Sequence, residues 1–217
     1  MPDFAAQRLT MVDTQVRPSD VTDTRIHDAM REVQRERFVP AAKRAIAYAD
    51  MSAEVAPNRY LLEPRSFAKL LQLAQITPTD RVLDVGGATG YSAAVLSKLG
   101  ASVVALEQDA DLVRVADDTL RSVGAHNVTV VQGALINGDK AHAPYDVIFV
   151  NGAVSAAPDA LLGQLAEGGR LVAVIRTNSQ GRANLFLRQN GRVGGREDFD
   201  SAAPDLAGFR QPVGFVF

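Results

Sequence analysis

Apolar positions along the chain fall into two textures. Up to about Thr79 they recur at helical intervals, and beyond it they gather into short runs separated by helical stretches. Ile26, Ala29, Met30 and Val33 share one face of a predicted helix, for which Thr22 and Asp23 offer an N-cap. Pro40 ends that stretch, and the segment from Asp50 to Glu63, broken by Pro57 and Asn58, reads as a loop. Pro64 suits the first turn of a second helix with Phe67, Leu70, Leu71 and Ala74 on its apolar face, and Pro78 stops it.

From Arg81 the pattern becomes β-α-β. Arg81–Val85, Val103–Leu106, Val128–Val131, Val147–Val150 and Leu171–Ile175 read as strands. Helices are predicted over Tyr91–Leu99 with Gly100 as C′ residue, over Ala110–Val123 closed by Gly124, and after Pro158, with a turn at Gly168 and Gly169. Runs that are apolar without alternation are what strands buried on both faces require, so the sheet is parallel and covered by helices. Asn184–Arg188 and Gly214–Phe217 also read as strands, and the turn at Asn190 and Gly191 suggests an antiparallel finish. The expectation is an α/β fold in two regions: residues 1–79, a helical extension and loop, and residues 80–217, the sheet core.

Composition narrows the chemistry. With 217 residues, 47% hydrophobic and 22% charged, the chain can bury a full-sized core. The absence of cysteine removes disulfides, thiolate metal sites and cysteine nucleophiles, and suits a reducing cytoplasm. His27, His126 and His142 are scattered without metal-ligand spacing, so no metal site is expected. A net charge of −2 argues against a dedicated nucleic-acid binder. No run approaches the roughly 18 apolar residues of a membrane span, and the first thirty residues carry charges throughout, so a cytoplasmic protein is expected. Arg170, Arg176, Arg182, Arg188, Arg192 and Arg196 make the late edge of the sheet locally basic, a pattern more often solvated than partnered.

Ligands of parallel sheets collect at the carboxyl ends of the strands. After the first strand stands Asp84-Val85-Gly86-Gly87-Ala88-Thr89-Gly90, whose small residues let the backbone turn sharply and approach a bound group. Glu107 ends the second strand 21 residues beyond Gly86, close to the interval at which an acidic side chain meets ribose hydroxyls. Either feature alone is as easily an ordinary turn or a solvated strand end. Together, in register with a β-α-β unit, they indicate a nucleoside. The G-x-G-x-x-G spacing of nicotinamide and flavin cofactors is absent, and Asp84 favours a cation over a pyrophosphate, which points to S-adenosylmethionine.

The segments Val82–Leu96 and Ala143–Val150 resemble those of the protein-L-isoaspartate O-methyltransferase family. So do Ala29-Met30, Val33–Pro40 and Ala47–Asp50 upstream, and Gln164-Leu165, Gly168–Val172 and Phe215–Phe217 downstream. The resemblance runs from about Met11 to the C-terminus. It implies a seven-stranded Rossmann-like methyltransferase core and S-adenosylmethionine as donor, with Asp84, Gly86, Gly87, Ala88, Gly90, Glu107, Gly133, Ala134 and Asn151 as the cofactor-binding residues. It also implies a protein or peptide acceptor carrying a carboxylate, and protein repair as the role.

The acceptor side departs from the family pattern. The fourteen residues from Asp50 to Pro64 match the family spacing, which sets its Thr-Ile-Ser element on Tyr60-Leu61-Leu62, so Leu62 replaces the serine. Ala56 stands for a glycine, Asn58 lies near the usual glutamine, and Ala134 replaces an aspartate beside adenine, a loss that Asn151 is placed to offset. The acceptor-side candidates are therefore Asn58, Arg59, Tyr60 and Leu62, with Arg59 either a two-point fork for an acceptor carboxylate or a solvated charge. Two alternatives follow: a methyltransferase with a changed acceptor, and a non-catalytic nucleoside-binding or regulatory protein on the same fold.

Overall fold

The computed structural model describes residues 3–177 and 180–209. Helix α1 (Phe4–Met11) is capped by the Asp3 carboxylate and runs into a π-helical turn, Val12–Val16. In α2 (Thr24–Glu32) the Asp23 side chain accepts from Arg25 N–H, and Ile26, Ala29 and Met30 are buried as their spacing predicts. The segment predicted as a loop is instead a small antiparallel hairpin, β1 (Ala53–Ala56) and β2 (Arg59–Leu61), turned at Asn58 with φ 57°. Pro64 opens α3 (Pro64–Ala74) at its first turn. That helix ends at Gln75, left-handed at φ 48°, before Pro78 is reached.

The sheet then forms in order. It comprises β3 (Arg81–Val85), α4 (Tyr91–Leu96), β4 (Ser102–Glu107), α5 (Ala110–Ser122), β5 (Val128–Gln132), β6 (Tyr145–Val154), α6 (Asp159–Leu162), β7 (Leu165–Arg176), β8 (Gly181–Gln189) and β9 (Arg192–Asp200). The seven strands lie in the order β5-β4-β3-β6-β7-β8-β9, parallel through β7 and antiparallel from β7 to β9. The α/β class, the seven strands and the antiparallel finish match the sequence expectation. Two details differ: α4 is shorter than expected with Gly100 not left-handed, and Arg192–Asp200, which carries no strand pattern, forms β9 against β8. Residues 214–217 lie outside those described.

Both faces of the central strands are buried, which is why their sequences do not alternate. Val82, Val103, Ala105, Val147, Phe149, Val172 and Val174 point into one core with α1 to α4, while Leu83, Val85, Leu106, Ile148, Val150, Leu171 and Ala173 fill the other. Several late-edge arginines are ion-paired: Arg170 with Asp80 at 2.6 Å, Arg176 with Asp205 at 2.7 Å and Arg182 with Asp200 at 3.3 Å. Among the described residues no helix is long and apolar enough to cross a membrane, and no cluster of metal-ligating side chains occurs.

Candidate active site

The turn from β3 into α4 and the end of β4 meet as their sequence spacing suggests. Gly86, at φ 75°, and Gly90, at φ 95°, hold the left-handed conformations the turn requires, and Ala88 shares this state at φ 53°. Ala88 N–H donates to Glu107 Oε2 at 3.2 Å, so turn and strand end are in direct contact. Glu107 is 2% exposed, not a solvated strand end. Its Oε1 also accepts from the backbone N–H groups of Gln108 at 2.8 Å and Asp109 at 3.1 Å.

Asp84 lies beneath the turn. Ser92 Oγ donates to its Oδ2 at 2.7 Å, and Asn151 Nδ2 donates to its Oδ1 at 2.5 Å. Burial raises this carboxyl from its ordinary 3.8 to about 7, with the two hydrogen bonds opposing the rise and the Glu107 charge adding to it. Gly87 is fixed by the same group, because a Cβ there would stand 2.5 Å from Asp84 Oδ2. The Nδ2 group of Asn151 is thus committed to Asp84, and to the Val85 carbonyl at 3.3 Å. Gly133 N–H bonds the Glu107 carbonyl at 3.0 Å, and Ala134 beside it is exposed.

The acceptor-side candidates separate. Asn58 and Tyr60 line a groove of about 590 Å³ whose other wall is Pro204 to Gly208. Leu62 is part of the hydrophobic core at 4% exposure, and its carbonyl is bonded by the buried Arg35 at 2.8 Å. Arg59 is neither solvated nor facing that groove as a free fork. It is 5% exposed and forks Glu107, Nη1 to Oε1 at 2.6 Å and Nη2 to Oε2, with Nη2 also donating to the Gly86 carbonyl at 3.1 Å.

Two contributors escaped the sequence reading. Ser92, in the first turn of α4, was in reach of it as a hydroxyl one turn after the glycines. Leu206 gave no signal, because it lies in an irregular stretch that crosses the strand ends. That stretch bonds β6 on both sides of Ala153, with Ala153 N–H to Pro204 O and Leu206 N–H to Ala153 O, both at 2.8 Å. A Cβ on Gly86 would meet Leu206 Cδ1 at 2.8 Å and Leu135 Cδ1 at 3.2 Å.

A donor nucleoside can therefore be tested against this geometry. The residue types it requires are present around the turn; in the described state Arg59 bonds both oxygens of Glu107, and Leu206 lies against Gly86.

The family model for protein-L-isoaspartate(D-aspartate) O-methyltransferase matches residues 7–200. A protein-L-isoaspartate O-methyltransferase of Koribacter versatilis is 39% identical over 190 residues, 88% of this chain and 86% of that protein. One from Roseiflexus castenholzii is 38% identical over 189 residues, covering 87% and 86%. Among solved structures, a protein-L-isoaspartate O-methyltransferase superposes with a TM-score of 0.80 at 26% identity, covering 94% of this chain and 67% of the other. A putative Plasmodium falciparum homologue in complex with S-adenosyl-L-homocysteine shares the fold, with a TM-score of 0.80 at 20% identity over 96% of this chain and 100% of the other.

Proposed function

The chain belongs to the protein-L-isoaspartate(D-aspartate) O-methyltransferase family, which uses S-adenosylmethionine as methyl donor, and from that premise we propose carboxyl methylation of damaged aspartyl residues in proteins or peptides as its reaction. The observation that supports this reading most is the contact of Ala88 N–H with Glu107, which joins the small-residue turn and the acidic strand end into one cradle. Asp84, Gly86, Gly87, Ala88, Gly90 and Glu107 form the donor side in this reading, with Gly133 and Asn151 supporting it.

A carboxylate acceptor is already ionised at neutral pH, so the chain has no need of a general base and acts by positioning. Asn58 and Tyr60 in the groove are the polar groups available for that task. Leu62 offers no hydroxyl. A donated hydrogen bond to a charged oxygen is worth about 1.5–3 kcal/mol, so ester formation about ten- to a hundredfold slower than with that hydroxyl is expected.

The closed cradle supports a second reading, a non-catalytic member that retains the fold to bind a partner. Incubation with radiolabelled donor and an isoaspartyl peptide separates the two. Base-labile methyl ester on the peptide supports the enzyme; its absence supports the second reading where about 1 mM S-adenosylmethionine also leaves the melting temperature unchanged, and a changed acceptor where the donor binds.

A further inference from the structure

We propose that Arg59 is a latch that competes with the donor for Glu107, so that the described state is a self-closed form of the cradle. The inference rests on the donor reading above and extends it.

Glu107 has five donors: two from Arg59 and three from the backbone of Ala88, Gln108 and Asp109. A ribose diol needs acceptor positions on this carboxylate, and the guanidinium fills both oxygens in the planar two-point geometry that arginine makes best. The third contact, to the Gly86 carbonyl, seats the same group across the turn. A cation held there also opposes a cationic ligand. Arg59 is well placed to move, because it is the first residue of the three-residue strand β2, whose partner β1 has four. When it leaves, Glu107 keeps its three backbone donors and stays oriented. Leu206 narrows the cradle from the opposite wall, through a segment tied to β6 by two backbone hydrogen bonds.

A ligand that binds only the open form has its apparent affinity reduced by the open fraction. Titration calorimetry with S-adenosylhomocysteine on the full chain, Arg59→Ala, Arg59→Lys and Arg59→Ala/Leu206→Ala measures this. The expected result is affinity at least about tenfold tighter for Arg59→Ala than for the unaltered chain. Arg59→Lys, with one point of attachment in place of two, should fall between them. If Arg59→Ala fails to fold, the lysine variant decides: binding about threefold or more tighter supports the latch, and unchanged binding overturns it. Equal affinity in the unaltered chain and both single variants overturns the latch and leaves the donor reading intact. No binding by any of the four proteins at about 1 mM ligand overturns the latch together with donor use.

Discussion

Asp84 is the residue whose protonation the fold controls most directly. Its carboxyl titrates near 7 when folded and near 3.8 otherwise, so between those values the unfolded chain releases a proton that the folded chain keeps. Stability from this group is therefore full below about pH 3.8 and is lost as pH rises through about 7, by up to about 4 kcal/mol. Asp84→Asn can accept from Asn151 and donate to Ser92 without titrating, so its melting temperature should fall less than that of the unaltered chain between about pH 5 and 8. Parallel slopes in thermal scans across that range would refute the assignment. Leu62 carries a prediction of the opposite kind, because the residue aligned with the family serine belongs to the core. Leu62→Ser should lose about 3 kcal/mol in urea unfolding through lost burial and the cavity left behind. If the alignment is right, ester formed per folded molecule should still rise about ten- to a hundredfold.

At the scale of elements, legibility followed burial. Strands β3, β4, β6 and β7 were readable because both of their faces meet a core, which imposes apolar runs without alternation. The hairpin was not, since β1 and β2 are too short to show a period and their turn resembles a loop in composition. Strand β9 was missed because it is exposed at nearly every position, so no apolar alternation marks Arg192–Asp200. The small-residue turn and its meeting with Glu107 were legible from spacing alone. Their closure by Arg59 was not, because that pairing spans 48 residues and depends on where the hairpin sits. Arg35 fixes that position. Buried over the Tyr91 ring at 4.7 Å, it donates to the carbonyls of Ala47 and Leu62 at 2.8 Å each, joining the approach to the hairpin with its exit. Arg35→Met leaves both carbonyls without that donor and should cost about 3 kcal/mol, read as a lower urea midpoint at unchanged slope. Arg35→Lys should recover only part of it, having no fork to reach both.

Across the whole molecule, the cradle is a meeting of four segments: the turn after β3, the end of β4, the hairpin before α3, and the stretch after β9. The last of these ties the end of the chain's described part to the middle of the sheet. Ala153 N–H and carbonyl bond Pro204 and Leu206, and a Cβ on Gly152 would stand 2.8 Å from Leu206 Cβ and 3.0 Å from the Pro204 carbonyl. Neither contact is the far end of a flexible side chain, so a methyl group at position 152 must push this stretch off the strand ends. Gly152→Ala should therefore lower stability by about 1–3 kcal/mol while leaving the sheet itself folded. The local signature is more decisive than the global one: the Ala153 and Leu206 amides should lose hydrogen-exchange protection while those within β3 and β4 keep theirs, and cleavage between Ser201 and Phe209 should quicken. Protection unchanged at both amides would show that the stretch tolerates the methyl group and does not depend on this close approach.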